Sequence, residues 1–397
     1  LWGSVNLHAP LATPTAYAAA PAAMAEVLRI HPALAPAYAE RGYRPLWTSG
    51  GRPTAAAQAL LGMLAHADRE GLDTSRYDLP KLRALAAAGP SQQAAFDLAL
   101  SQALADYVAD AMQPSAGRRL YYVDGALAPR TDPAALLRGA ARAPSLERYL
   151  ADLQPRHPFY VRLRQALAGA GPSAAPQLRA SLDAARALPG DGRRHIVVNI
   201  ASAELWMFDQ GGRIADHMRV IVGKPGMATP NMAGLIRYAV RNPYWNLPPD
   251  LARERARKML AGDTGLLARE RLEVLSDWSD TPRVVDPRRV NWPAVAAGTQ
   301  TLRMRQLPGP DNMMGRIKFM LPNQLGIYLH DTPMKFAFAN PDRRLSSGCV
   351  RLEDAQRLAR WLFGGTAPVG TGAAEQRFDL PRPVPVYIVD LPALSAA

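Results

Sequence analysis

The sequence predicts an α+β chain, an α-helical N-terminal part followed by a β-rich C-terminal part. Two observations carry this. Up to about residue 180, apolar residues recur at i, i+3, i+4 spacing between Gly and Pro breaks, the period of amphipathic helices. From His195 the pattern shortens into β-rich runs separated by turn residues. A third feature modifies the second part: a charged, Pro-broken segment interrupts its strands. We expect a helical scaffold domain over residues 24–188 and a second domain over 194–391. Residues 250–306 should form an inserted helical capping or lid subdomain within the latter.

The elements follow in chain order. "TAAAQALLGMLAHADREGLD" puts Ala57, Leu60, Leu61, Leu64 and Ala67 on one face and ends at Gly71, a C-cap residue. "AAFDLALSQALADYVADAMQP" does the same with Phe96, Leu100, Leu104, Tyr107 and Val108, until Pro114 stops it. "SLERYLADLQP" and "PFYVRLRQALAGAGP" read as shorter helices. "GAGPSAAP" and "LPGDGRR" read as linkers around one more, "QLRASLDAARAL". In "HIVVNIASAELWMFDQGGRIADHMRVIVGK" short strands flank the hairpin turn "DQGG". Further strands are "IRYAVRNPYWNLP", "RIKFML", "GIYLHD" and "VPVYIVDL". The insertion opens with "DLARERARKMLAGDTGLLARERLEVLSD", which reads as charged and helical. An ordered insertion of this length is commonly functional, often as a lid; the bland alternative is a surface elaboration.

Composition narrows the partners. The net charge is +13, which favours anionic ones. The arginines are scattered, and no run of like charge suggests a nucleic-acid-binding arm. A single cysteine excludes an internal disulfide and any multi-cysteine zinc site. No apolar run reaches the ~18 residues of a membrane-spanning helix. Residues 1–23 carry no charged n-region, and we expect them to be the start of a mature exported chain.

The chemistry concentrates in "GIYLHDTPMKFAFANPDRRLSSGCVRLEDAQRLARWLF", which holds the one cysteine, Cys349, and one of the seven histidines, His330. A thiol is a weak nucleophile until it ionises. A neighbouring imidazole accepts its proton, and a helix N-terminus stabilises the thiolate. "GIYLHD" places His330 at a strand end. "LEDAQRLARWLF" reads as a helix beginning just after Cys349, its apolar face formed by Leu352, Ala355, Leu358, Ala359 and Leu362. Gly348 lets the backbone approach a reacting carbonyl. The N–H groups near Gly348 and Cys349 would then make an oxyanion hole. The spacing alone is equally compatible with a buried thiol beside a structural imidazole. His195 and His217, in the hairpin, read as structural.

"HDTP" followed by "LSSGCVR" resembles the signature of the L,D-transpeptidase catalytic domain, the YkuD domain: a His, then S-x-G-C-V/h-R. Ser346, Gly348, Cys349, Val350 and Arg351 fill it. Many members have His before the Gly; this chain has Ser347, a variant that resembles the large Gram-negative YcbB-like group. "VIVGKPGMATP", "NPYWNLPPDLARE" and the N-terminal "RGYRPLW" are similar to that group too, so the resemblance covers most of the chain. One departure stands out. Fuller members carry a peptidoglycan-binding module where this chain has only "QLRASLDAARALPGDG".

The resemblance implies a periplasmic enzyme needing neither metal nor organic cofactor and binding no nucleic acid. Cys349 would attack the meso-diaminopimelate carbonyl of a peptidoglycan tetrapeptide stem, with His330 as base. The other ring nitrogen of His330 would be held by a backbone carbonyl, that of Asp331; a side-chain role for Asp331 is not implied. D-Ala would leave, and a second diaminopimelate amine would complete a 3→3 cross-link. An outer-membrane protein amine, or water, would be the alternative acceptor. Carbapenems would acylate the same sulfur. Arg351, Tyr328, Trp245 and Ser347 would shape the pocket, and Ser346 would support the loop. Each has a bland alternative: Arg351 as a partner of the following helix, Tyr328 and Trp245 as core aromatics, Ser347 as turn filler. A non-enzymatic murein-binding scaffold is the rival from another class. A papain-like protease would need Cys before His, the reverse of the order here.

Overall fold

The computed structural model describes residues 22–153 and 156–394. The segment expected to start a mature exported chain, residues 1–23, lies outside the described residues, except for Ala22 and Ala23, which open the helix Ala22–Ile30. No helix among the described residues is long and apolar enough to cross a membrane.

The N-terminal part is helical, as its periodicity predicts. Helix α1 (Ala55–Ala65) is capped by Thr54, whose hydroxyl accepts the Ala57 N–H at 3.2 Å. Its face of Ala57, Leu60, Leu61 and Leu64 is buried. Gly71, at φ +70°, closes a separate short 3-10 turn rather than α1 itself. Helix α2 (Gln93–Met112) runs through the scaffold core and buries Phe96, Leu100, Leu104, Tyr107 and Val108. Asp97 on the same helix is fully buried. It accepts the backbone N–H groups of Leu46 and Trp47 and the Tyr38 hydroxyl, at 2.6–2.9 Å.

The junction with the C-terminal part is closer than a linker would make it. After α2 the chain forms a two-residue strand, β1 (Tyr121–Tyr122); the helices Pro133–Arg142 and Leu146–Leu153 come next, then α3 (Pro158–Ala168) and α4 (Ala175–Ala185). The β-rich part begins with β2 (His195–Asn199), β3 (Glu204–Phe208), β4 (Ile214–Gly223) and β5 (Met232–Arg241). β3 and β4 join through the expected turn, with Gly211 and Gly212 both at positive φ. β1 pairs in parallel with β5, so the helical part contributes a strand to the large sheet of the C-terminal part.

The insertion follows, with β6 (Trp245–Asn246), helix α5 (Pro249–Leu260), β7 (Leu272–Leu275), β8 (Val284–Val285) and β9 (Arg303–Gln306). It is not purely helical. Four antiparallel strands, in the order β8-β7-β9-β6, carry a small core of their own that includes Leu247, Ala256, Leu267, Val274, Val295 and Met304. Charge conceals the change of period here. The segment's helices end at Leu260 and Arg269. Arg271, at φ +54°, then turns the chain, and Leu272 and Val274 alternate as a strand.

The sheet resumes with β10 (Ile317–Met320), β11 (Leu329–His330), β12 (Arg344–Ser346), β13 (Val350–Leu352), helix α6 (Ala355–Leu362) and β14 (Gln376–Val389). Among the described residues ten strands form one sheet, and the pairing of β10 with β5 closes it into a ring. Strands β2, β3 and the last four residues of β14 (386–389) are buried on both faces, which explains their near-continuous apolar runs. Ile196, Val198, Leu205, Met207 and Ile388 face one core. Val197, Trp206, Tyr387 and Val389 face a second, shared with Phe159, Tyr160 and Leu163 of α3 and Leu182 of α4. Each of those helix side chains contributes about 1.5–3 kcal/mol on burial.

A histidine pair lies in this junction. Nε2 of His157 is 3.0 Å from Nε2 of His195. Phe159 N–H donates to His157 Nδ1, so the His157 proton sits on Nε2. His195 Nδ1 donates to the Arg193 carbonyl at 2.7 Å, so its Nε2 accepts. Both rings are therefore neutral. Burial lowers both pKa values, that of His195 to about 4. His217 stacks on Trp206. Both hairpin histidines thus have structural contacts.

Candidate active site

β11 and β13 run in parallel, with Leu329 opposite Val350 and His330 opposite Arg351. Side chains alternate along a strand. Leu329 and Val350 enter the core, fully buried. Tyr328, His330, Cys349 and Arg351 therefore share the other face. Their mutual influence confirms the grouping: the rings of Tyr328 and His330 are 6.1 Å apart, and Arg351 acts electrostatically on both His330 and Cys349.

His330 is buried. Its Nδ1 lies 2.5 Å from the Asp331 carbonyl oxygen. A carbonyl only accepts, so Nδ1 carries the proton and Nε2 keeps a free lone pair. Burial, then the Arg351 cation, pushes its pKa down to about 3, against a smaller upward pull from Asp331. The imidazole is neutral across the physiological range. The Asp331 carboxylate is occupied elsewhere, accepting from Lys335 Nζ at 2.7 Å and Arg316 N–H at 2.9 Å. Asp331 thus touches His330 through its backbone.

Cys349 is partly exposed, yet the surrounding protein desolvates its thiol and raises its pKa. A backbone hydrogen bond from Tyr328 and the charge of Arg351 oppose this without overcoming it. The thiol faces the Gly326 carbonyl at 3.4 Å. Burial lowers the pKa of Arg351. Its Nη1 meets only Met334 Sδ, at 3.9 Å, and its Nε is buried with no hydrogen-bond partner among the described residues.

The turn before the thiol is held from both sides. Ser346 Oγ donates to the Cys349 carbonyl at 2.6 Å and accepts the Gly348 N–H at 3.2 Å. Gly348 sits at φ +119°, and a Cβ there would lie 3.2 Å from Ile327 Cδ1. Of the two N–H groups expected to make an oxyanion hole, that of Gly348 is thus already engaged. Ser347 is exposed at the turn. Trp245 lies in β6, opposite Gln306, packed on the core of the insertion.

The helix expected directly after Cys349 starts later. Residues 350–352 are β13, paired with β11 and β4, and α6 begins at Ala355 with Asp354 as its N-cap. The helix dipole therefore does not act at the thiol. The apolar face drawn for that helix is still buried, but Leu352 reaches it from a strand.

Thr229 escaped the sequence reading. Its hydroxyl donates to the Gly348 carbonyl at 2.7 Å and accepts the Gly223 N–H at 2.8 Å. Gly223 itself has no room for a side chain, since a Cβ would lie 2.2 Å from the Met227 carbonyl oxygen. Replacing Thr229 by valine keeps the shape but leaves two buried backbone groups unpaired. We expect a loss of about 1–3 kcal/mol in denaturant unfolding, with Thr229→Ser close to the parent. Equal stability of the valine and serine variants would refute that role.

Two family models match the chain. The one described as the L,D-transpeptidase catalytic domain covers residues 193–388, and the one described as the Scaffold domain covers 32–167. A Haemophilus influenzae protein named "Putative L,D-transpeptidase" is 31% identical over 345 residues, which are 85% of this chain and 68% of that protein. The chain belongs to the L,D-transpeptidase family. Solved structures similar to it include an L,D-transpeptidase from Mycobacterium smegmatis, at 13% identity and TM-score 0.24, over 49% of this chain and 58% of that one. Another is the transpeptidase LdtMt1 in complex with imipenem, at 13% identity and TM-score 0.25, over 50% and 60%. The chain spans under two thirds of the length of each of these two structures.

Proposed function

We propose that the chain is a peptidoglycan L,D-transpeptidase with Cys349 as nucleophile and His330 as base. One observation carries this reading. A thiol and a neutral imidazole, its Nδ1 locked on the Asp331 carbonyl, share one face of two parallel strands beside a guanidinium whose Nε has no partner among the described residues. His330 Nε2 takes the thiol proton as Sγ attacks the carbonyl at the L-centre of diaminopimelate in a tetrapeptide stem. The C–N bond to D-Ala breaks, the imidazolium returns the proton to the departing amine, and a thioester remains. A second diaminopimelate amine attacks the thioester and gives up a proton to His330. The thiolate leaves, is reprotonated, and a 3→3 cross-link is formed. A protein amine or water at the same step gives attachment or carboxypeptidase action instead.

Arg351 is the group that would receive a substrate carboxylate, because a half-buried guanidinium with no anion beside it gains from pairing with one. The scheme uses neither metal nor organic cofactor. Its substrate lies outside the cytoplasmic membrane, so the working location is the periplasm. A carbapenem would be attacked by the same sulfur.

Mass spectrometry of the products from tetrapeptide muropeptides tests the reading. A dimer that has lost one D-Ala supports cross-linking. Tripeptide alone supports the hydrolytic alternative. Unchanged tetrapeptide, with no thioester and no carbapenem adduct on Cys349, overturns the scheme.

A further inference from the structure

A groove of about 620 Å³ opens on the opposite side of α4 from the sheet, between the C-terminal end of α2, the chain at 114–119 and α4. It is separate from the face that carries Cys349. Five guanidinium groups line it, those of Arg76, Arg118, Arg119, Arg179 and Arg186, against the carboxylates of Asp73, Asp110 and Asp183.

The carboxylates are already committed. Asp110 accepts from Arg76 at 2.9 Å and from the Tyr77 hydroxyl at 3.1 Å. Asp183 pairs with buried Arg186 and accepts from Ser115 N–H and Oγ, at 3.0 and 2.6 Å. Asp73 accepts from Ser75. Arg119 and Arg179, both exposed, make no ion pair or side-chain hydrogen bond among the described residues. Arg186 is 8% exposed and largely committed: Nη1 pairs with Asp183 and Nη2 donates to the Glu70 carbonyl at 2.7 Å, so only Nε is left without a partner among the described residues. The groove therefore presents cations in excess on a firm base, since Leu182 and Ala185 of α4 are locked into the second core.

We propose that this groove is a second binding site, distinct from the catalytic one, for the carboxylate-bearing stem peptides of the polymer. The proposal rests on the function proposed above. Planar guanidinium forks match carboxylates, and each stem carries several in close succession. A polymer repeats the unit, so a weak site multiplies its effect once a neighbouring stem is engaged at Cys349. The fold supplies a reason for such a site. Between α3 and β2 stands only α4 with its short flanking linkers, leaving no separate folded module there to grip the wall.

The test separates binding from turnover. Pull-down on isolated sacculi is measured for the parent chain and for Arg119→Ala/Arg179→Ala, beside turnover of a soluble tetrapeptide muropeptide. The double variant should bind sacculi about tenfold or more weakly and leave soluble turnover unchanged. Parent binding should fall on raising the salt from about 0.05 to about 0.5 M. It should also fall on sacculi stripped of stems by an amidase. Unchanged binding by the double variant, salt-independent binding, or equal binding to stripped sacculi each overturns the second site. So does a preference for polyphosphate over sacculi, which would mark a phosphate site. Failure of soluble turnover in the parent chain would instead defeat the proposed reaction.

Discussion

Replacing Cys349 by alanine should abolish acyl-enzyme formation and lower turnover by at least ~10³-fold. The thiol is the strongest nucleophile on the shared face of β11 and β13 once its proton is removed, and its acyl product is a thioester that an amine can resolve. Incubation with a carbapenem followed by intact-protein mass spectrometry reads this directly. The parent chain should gain the mass of one inhibitor, and the variant none. Cys349 has little side-chain hydrogen bonding to lose, a long contact to the Gly326 carbonyl at 3.4 Å and the backbone N–H of Tyr328. The variant should therefore unfold within about 1 kcal/mol of the parent, which separates lost chemistry from lost fold. An adduct of full yield on the variant would place the nucleophile elsewhere.

The second large effect belongs to His330, and its sign follows from burial. A histidine whose pKa is held near 3 stays neutral through pH 5–8, so the base is competent throughout. The thiol is raised, so little thiolate forms unaided in that window. Parent kcat/KM should accordingly show no inflection near 6.5, the ordinary histidine value. Replacing His330 by alanine removes the base and should cost about 10²–10⁴-fold at pH 7. The residual rate should climb with pH, because only spontaneous thiolate remains reactive. A parent profile falling away below pH 6.5, or a variant insensitive to pH, would reject a neutral imidazole as the base.

Much of the fold was legible because local periodicity and tertiary burial agree. The faces drawn for α1 and α2 are buried residue for residue, since in a helix of that length the apolar stripe has one place to go. Three things were not legible, each for a physical reason. β1 is two residues long inside a helical neighbourhood, and only its partner β5 makes it a strand. Residues 350–352 carry no local mark separating a strand from the first turn of a helix, and the pairing with β11 and β4 decides. Thr229 joins the Gly348 turn across 119 residues of chain, and a lone hydroxyl gives no periodic signal. The attachment of His330 Nδ1 to the Asp331 carbonyl was anticipated through the family resemblance; nothing in residue spacing indicated it.

The junction also bears on how the chain is made. α1 and α2 close a core from sequence that emerges early, so that half can fold while synthesis continues. α3 and α4 cannot. Their apolar faces belong to β2, β3 and β14, and β14 lies far downstream of both helices in the chain. Tyr121 and Tyr122 likewise wait for β5. The nascent chain therefore carries a folded head and an unfinished middle. The greasy surface that a holding chaperone would meet on it is α3 and α4, until the C-terminal strand arrives to cover them.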